Sequence, residues 1–166
     1  MGTGSVIYRI VLLLHIITAI VAFGGLVANG INNSRAFKSP ADQAKTLFAA
    51  TQRISKPAYN ALYALFALGI VLVALSDSAI SFSAPWISAA FLVVIVMIGI
   101  SHAMVRPNVA GLLERAEALT VSGGESPVME TDEEATGLAK RLGMGEAIIQ
   151  LLLIVALFLI IWQPGN

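Results

Sequence analysis

The fold of this chain is decided by the stretch VIYRIVLLLHIITAIVAFGGLVA, residues 6–28, and by three similar apolar stretches at residues 58–75, 86–105 and 144–162. An α-helix rises about 1.5 Å per residue and a bilayer core is about 30 Å thick, so each stretch is roughly long enough to cross a membrane. The sequence therefore predicts an all-α protein, an integral membrane four-helix bundle that forms a single membrane domain.

The composition agrees with lipid as the surrounding medium. Apolar residues make up 57% of the 166 residues and charged residues 12%, which is about half the charged share of soluble domains. The mean hydropathy is +0.84. The net charge is zero, and the chain has no cysteine for disulfides, cysteine-ligated zinc, iron–sulfur clusters or thiol chemistry. The predicted partner is the lipid bilayer, and no nucleic acid partner is indicated.

Positive charge predicts the orientation of the chain in the membrane. Segments 29–57 and 106–143 contain nine of the ten Lys and Arg residues, and Arg9 is the other. By the positive-inside rule both segments are cytoplasmic loops. Trp86 and Trp162 would then lie at the outer interface, where Trp is favoured. We expect two antiparallel hairpins with long cytoplasmic loops, N-out and C-out, in a bacterial inner (plasma) membrane.

The two predicted loops contain the patterns of short amphipathic helices. These helices are predicted over Ala41–Ser55, from Pro107 onward, and from a capping box at Thr131–Glu134 to about Gly143. Residues 122–130 are predicted to form a flexible acidic linker. Two roles are open for the short helices, interfacial scaffolding and the binding of a partner.

His15 lies near the middle of the first span. An ionisable group at membrane depth is costly, so its presence points to a function. Thr18, Ala22 and Gly25 share its helix face, and a stripe of small and polar residues is typical of a face that packs against other helices. His15 is therefore predicted to point into the bundle, as a candidate for heme binding or proton transfer.

All four spans are predicted to bring polar groups to one level near the inner leaflet. The candidate cluster consists of Asn29, Asn60, Tyr63, His102, Arg106, Glu146 and Gln150. Matching i, i+4 spacing on antiparallel spans predicts contacts of Arg106 with Glu146 and of His102 with Gln150. One interpretation is a polar pocket for a small ligand, an ion, a lipid headgroup or a partner. The alternative is a set of contacts that hold the helices together.

Heme is the alternative ligand. His15 and His102 could both supply axial imidazoles, but their predicted heights in the membrane differ by about 10 Å. A heme held by His15 alone, in a redox membrane protein or enzyme, is the second hypothesis for function. Copper held by a histidine with Met97 or Met104 fits these residues less well. No other metal site is predicted.

A resemblance comes from the pattern Leu14-His15, eight further residues, and Gly24-Gly25. This pattern resembles the first span of the copper-resistance D-type membrane domains, the four-span protoporphyrinogen oxidases and the domain of unknown function numbered twenty-two sixty-nine. The last is the best fit, given the four spans and Arg106-Pro107 after the third. It implies a four-span fold and no known reaction. The oxidases pair a first-span histidine, matched by His15, with a lysine in a later span, and no predicted span here contains lysine.

The sequence thus favours a non-enzymatic membrane protein with an inner-leaflet polar pocket. Its spans contain neither paired carboxylates nor phosphate-binding glycine loops, which disfavours hydrolase, metalloprotease and nucleotide chemistry. Gly24, Gly25 and Ala28 permit close helix packing, which is compatible with a homodimer or with a partner in a membrane complex. The ligand, the cofactor and the oligomeric state are left open.

Overall fold

The structure is a computed structural model that describes residues 2–77, 79–121 and 124–164. The helices of the described residues, in chain order, are α1 Val6–Phe37, α2 Ala41–Leu75, α3 Pro85–Ile100, α4 Arg106–Leu119 and α5 Glu133–Trp162. A π-helical turn at Ser101–Val105 joins α3 to α4, and a 3-10 turn at Met129–Thr131 precedes α5.

Four helical segments are long and apolar enough to cross a membrane. They are Val6–Phe37, Ala41–Leu75, Pro85–Leu119 and Glu133–Trp162. The buried share of their apolar stretches ranges from 11% in α1 to 33% in α2, so most of these side chains lie on the surface. Apolar surface on this scale is stable against lipid and unstable against water. The predicted all-α fold, with four helices long and apolar enough to cross a membrane, is confirmed, and the chain has the build of an integral membrane protein.

The first two helices extend beyond the predicted spans. α1 continues past residue 28 to Phe37, and α2 begins at Ala41 instead of at residue 58. The predicted surface helix over Ala41–Ser55 is therefore the first part of α2, and Pro57 lies inside that helix. The helix continues because apolar residues recur at helical spacing beyond the span, with Phe48 fully buried.

The third apolar helix also continues past its predicted end. Pro107 cannot donate a backbone N–H, and its ring would crowd the preceding turn of a regular α-helix. The wider π-helical turn at Ser101–Val105 lies directly before it, and the Asn108 side-chain amide donates a 2.6 Å hydrogen bond to the Met104 carbonyl oxygen. The helix axis thus runs on as α4 to Leu119, so the predicted loop 106–143 is largely helical.

The predicted linker, residues 122–130, is anchored where the structure describes it. Ser122 and Gly123 lie outside the described residues. Val128 forms an isolated antiparallel bridge with Pro40, and the fully buried Met129 donates its backbone N–H to the Ser39 carbonyl oxygen at 3.1 Å. The described part of the linker is therefore held against the turn between α1 and α2, and it is not the flexible segment that we expected.

The start of α5 differs from the predicted capping box in its first residue. Asp132, not Thr131, caps the helix, because its carboxylate accepts a 2.9 Å hydrogen bond from the backbone N–H of Ala135. The helix then runs through Gly143, where we expected it to end, to Trp162. The predicted third short helix is thus the first part of α5.

The described residues form two compact units. Unit 1 contains the described residues of Met1–Gly24, Pro57–Ile98 and Gln150–Asn166, and unit 2 contains those of Gly25–Lys56 and Gly99–Ile149. Unit 1 has a core that includes the buried side chains of Leu62 and Met97, and unit 2 has one that includes Phe48 and Leu112. Every Lys and Arg of the chain except Arg9 belongs to unit 2.

Candidate functional site

A buried polar cluster lies in unit 2 between the end of α1 and the start of α2. The Asn29 side-chain amide donates a 3.0 Å hydrogen bond to Ser55 Oγ, and Ser55 Oγ donates a 2.8 Å hydrogen bond to the Thr51 carbonyl oxygen. The helices are antiparallel neighbours because three residues connect them. Asn33 follows Asn29 by one turn and Thr51 precedes Ser55 by one turn, so Asn33 and Thr51 lie at the same level.

The third helix of the cluster is α5. The side-chain amide of Asn33 donates a 2.7 Å hydrogen bond to Glu146 Oε1. Glu146 is partly buried, whereas Asn33 is 3% exposed. We call Asn29, Asn33, Thr51, Ser55 and Glu146 the polar cluster. It combines side chains from α1, α2 and α5, all within unit 2.

Three oxygen atoms of the polar cluster are buried and have no hydrogen-bond partner among the described residues. They are Asn29 Oδ1, Asn33 Oδ1 and Thr51 Oγ1. Asn29 is 3% exposed and Thr51 is 1% exposed. Buried polar atoms in native proteins are nearly always paired, and an unpaired one costs about 1–3 kcal/mol. Three of them within two helical turns of each other need a functional or structural explanation.

The orientation of both amides follows from the chemistry of their partners. The nitrogen of the Asn33 amide faces Glu146 Oε1, which suits an ionised carboxylate because that group only accepts hydrogen bonds. Ser55 has given its one hydroxyl proton to the Thr51 carbonyl, so Ser55 Oγ accepts from the Asn29 nitrogen. In both residues Oδ1 is therefore the end of the amide that is left unpaired.

Two of the predicted site residues, Asn29 and Glu146, belong to the polar cluster, but the predicted partner of Glu146 was wrong. Glu146 is bound by Asn33, and Arg106 Nη1 lies 2.9 Å from His102 Nδ1 on its own helix. A guanidinium group can only donate, so His102 Nδ1 accepts this bond. Arg106 and His102 are both exposed. An exposed guanidinium keeps its hydration, which is why it gains little from a buried carboxylate.

The remaining predicted residues belong to unit 1. Asn60 is exposed, Tyr63 is 44% exposed, and Gln150 is partly buried. His102 belongs to unit 2 and Gln150 to unit 1, so the predicted pair of these two residues stays a prediction. The same holds for the gathering of all seven residues at one level.

Sequence reasoning missed Asn33, Thr51 and Ser55. A signal for them was present, because Asn29 and Asn33 are spaced i, i+4, as are Thr51 and Ser55. Two polar pairs at one-turn spacing on neighbouring helices indicate facing polar stripes. The signal was missed because residues 29–57 were predicted to form a loop. A loop does not fix the positions of the two polar pairs relative to each other.

His15 lies in unit 1, packed between α1, α2 and α3. Its ring nitrogen Nδ1 is buried and has no hydrogen-bond partner among the described residues. A Cβ atom added to Gly69 would lie 3.5 Å from His15 Cε1 and 3.3 Å from Phe91 Cζ, so glycine leaves room for both rings. An axial ligand needs a ring nitrogen that faces a porphyrin-sized space. A heme at His15 stays a prediction.

A cluster of charged side chains in unit 2, Arg115, Asp132 and Glu134, holds the start of α5 in place. Arg115 donates from Nε to Asp132 Oδ1 at 2.9 Å and from Nη2 to Asp132 Oδ2 at 2.6 Å. Arg115 Nη1 also lies 3.2 Å from a Glu134 carboxylate oxygen. The Arg115 guanidinium and the backbone N–H of Ala135 lower the pKa of the Asp132 carboxyl from its usual 3.8 to about 2. These contacts join α4 to the start of α5. Because the charged side chains pair with one another, we assign them a structural role.

The chain has no match in comparisons with protein-family models, with curated proteins and with solved structures. The described residues contain no group of three or more His, Cys, Asp or Glu side chains that could hold a metal ion. The function of the protein is therefore inferred from the geometry of the polar cluster.

Proposed function

We propose that this protein is a non-enzymatic, multi-pass membrane protein that binds a small polar solute or ion in the polar cluster of unit 2. The observation that carries the proposal is the presence of three buried, unpaired oxygen atoms in the polar cluster, one of them on Asn33, whose amide nitrogen donates to the Glu146 carboxylate. The two amide oxygens can only accept hydrogen bonds and the Thr51 hydroxyl oxygen can accept one as well, so these atoms favour a ligand that donates hydrogen bonds or carries positive charge. Glu146 is partly exposed and provides the route of entry.

The charge distribution supports a cytoplasmic position for unit 2. Nine of the ten Lys and Arg residues belong to this unit, and cations accumulate on the cytoplasmic side of membrane proteins. We propose that the protein lies in the plasma membrane with both termini outside, so that the polar cluster is reached from the cytoplasm.

The proposal is tested by labelling of Glu146 with a carbodiimide, which forms a mass-detectable adduct on carboxyl groups. Detergent-purified protein is labelled in the presence of ammonium, methylammonium, guanidinium, glycerol or an alkali-metal chloride at constant ionic strength. We expect at least one of these solutes to reduce labelling of Glu146 in a saturable way. Glu114, which is exposed on α4, is the control and should label equally in every case.

The proposal would be contradicted if none of these solutes protected Glu146 and none raised the melting temperature of the protein. An Asn33→Ala variant sharpens the test, since it removes one unpaired oxygen and the partner of Glu146. Its control is Asn32→Ala, on the adjacent residue of α1. We expect protection to be lost in Asn33→Ala and retained in Asn32→Ala.

A further inference from the structure

The unpaired atoms of the polar cluster are all oxygens. Two are amide oxygens, of Asn29 and Asn33, and one is the hydroxyl of Thr51. The Glu146 carboxylate belongs to the same cluster through its hydrogen bond from Asn33. Oxygen-only sets of this kind suit hard cations, whereas softer metals prefer histidine or cysteine. A hydroxyl and two amide oxygens also bind a cation without adding negative charge to a buried site.

The charge of the polar cluster limits the charge of its ligand. Glu146 is its one ionisable member, and among the described residues the salt bridges join other side chains, namely Lys45 to Glu117 and Arg115 to Asp132 and Glu134. A single carboxylate is neutralised by a single positive charge. A divalent ion would leave an uncompensated charge in a partly buried site, which is costly.

The spacing of the oxygens also fits an ion. Asn29 and Asn33 are four residues apart on α1, so their backbone positions are separated by about 6 Å along the helix axis. Two oxygens on opposite sides of Ca²⁺, whose radius is close to that of Na⁺, are about 5 Å apart. Thr51 lies opposite Asn33 on α2, and Glu146 approaches from α5, so the ligands would come from three helices.

We infer that the ligand of the polar cluster is a monovalent alkali cation, with sodium as the best fit, held by Asn29 Oδ1, Asn33 Oδ1, Thr51 Oγ1 and the Glu146 carboxylate. This inference rests on the proposed binding function. The ion explains at once why three buried oxygens have no partner within the chain and why both amides turn Oδ1 away from their protein partners. Backbone carbonyls and water would complete its coordination.

The experiment measures the melting temperature of the detergent-purified chain in sodium, lithium, potassium and choline chloride at equal ionic strength. Retention of radioactive sodium by the protein is measured in parallel. We expect sodium to raise the melting temperature in a saturable way, because a ligand that binds the folded state alone stabilises it by mass action. Choline, which is too large for the cluster, defines the baseline.

Thr51→Val is the decisive variant because valine has nearly the same shape as threonine and lacks the hydroxyl oxygen. We expect its apparent dissociation constant for sodium to rise at least about tenfold. In choline its melting temperature should stay the same or rise, because removal of an unpaired buried hydroxyl relieves a cost. Thr46→Val, at an exposed position of α2, is the matched control and should keep the full sodium effect.

Glu146→Gln removes the neutralising charge and should abolish sodium retention, while Glu114→Gln should not. Equal melting temperatures in sodium and choline, without sodium retention, would overturn the inference. It would also be overturned if Thr51→Val kept the wild-type response to sodium. A loss of stability of Thr51→Val that is equal in every salt would overturn it too, because a bridging water would then satisfy the oxygens. Protection of Glu146 by ammonium or guanidinium but not by sodium would overturn the sodium assignment and leave the proposed function standing.

Discussion

Asp132 has two structural tasks at a single position. Its carboxylate caps the first turn of α5 through the backbone N–H of Ala135, and it receives two hydrogen bonds from the guanidinium of Arg115. Bonds of this forked kind are stronger and more directional than single neutral hydrogen bonds. One residue thus sets both where α5 starts and how its first turn is attached to α4.

This arrangement predicts an acid-sensitive contribution to stability. The Asp132 pKa of about 2 in the folded protein lies below its usual 3.8, so the folded state holds the ionised form more tightly than the unfolded state does. The stabilisation is complete above about pH 4 and is lost as the pH falls through about 2. We expect the melting temperature of the wild type in detergent to fall more steeply between pH 4 and pH 2 than that of Asp132→Asn.

Asparagine is also a good N-cap, so Asp132→Asn removes the charge and keeps the cap. Asp132→Ala removes both, and should be less stable than Asp132→Asn at neutral pH by about 0.5–2 kcal/mol. If the melting temperatures of the wild type and Asp132→Asn changed identically with pH, the charge of Asp132 and its contact with Arg115 would not contribute to stability. Glu133→Gln, at the exposed next residue, is the control for loss of a carboxylate near the helix N-terminus.

At the scale of helices, α5 approaches the π-helical turn closely at one glycine. A Cβ added to Gly145 would lie 3.1 Å from Met104 Cβ and 3.4 Å from Val105 Cγ2, both within unit 2. A Cβ atom is held by its backbone and cannot swing aside. Gly143, two residues earlier, is exposed and would meet nothing within 4 Å. Two glycines of the same helix therefore differ in role.

The two glycines predict opposite responses to alanine. Gly143→Ala should raise stability by about 0.5–1 kcal/mol, because alanine has the higher helix propensity and no neighbour is displaced. Gly145→Ala should show no such gain and should lower the melting temperature, because the helices must separate by a few tenths of an ångström. Thermal unfolding of both variants in detergent is the measurement, and an equal gain in the two would contradict the close contact at Gly145.

The helices were predictable in kind but not in extent. Continuous apolar stretches predict membrane helices whatever the rest of the chain does, and all four were found. Their ends were not predictable from hydropathy, because α1, α2, α4 and α5 leave the apolar stretches and continue with polar residues on one face. Pro57 and Pro107 looked like helix boundaries, yet both lie within continuous helical segments. A local rule for proline was overridden by the packing of the neighbouring turns.

At the scale of the whole molecule, charge is segregated between the two units. Unit 1 contains Arg9 and Asp77 as its Lys, Arg, Asp and Glu residues, and the other charged residues of these types belong to unit 2. A unit with so few charges is suited to the hydrocarbon core, and a unit with nearly all of them is suited to the interface and the aqueous phase.

This segregation predicts the topology, which cysteine labelling would measure. The chain has no native cysteine, so single cysteines can be introduced without a background. We expect Thr3→Cys to react with a membrane-impermeant maleimide in intact cells, and Glu125→Cys to react after the membrane is permeabilised. Both positions are exposed, so a lack of reaction reports on the membrane and not on burial. The reverse pattern would place unit 2 outside and refute the cytoplasmic polar cluster.

The sequence predicted only part of the polar cluster. Asn29 and Glu146 were expected in a site because polar residues next to a membrane span need a reason. Their partners were not foreseen, and Glu146 was assigned to Arg106, which the structure shows bound to His102. His15 was expected to face other helices, and its ring lies close to Gly69 of α2, a contact that could not be read from the first span.

The sequence by itself determined that this protein is all-α, that four of its segments are long and apolar enough to cross a membrane and that most of its charges lie outside the apolar stretches. These properties follow from composition and helix length alone, because a bilayer rejects polar groups and unpaired backbone. The tertiary structure alone decided which polar side chains meet. Asn29 reaches Ser55, and Asn33 reaches Glu146 across 113 positions of sequence, because helix register sets distances that no local pattern encodes.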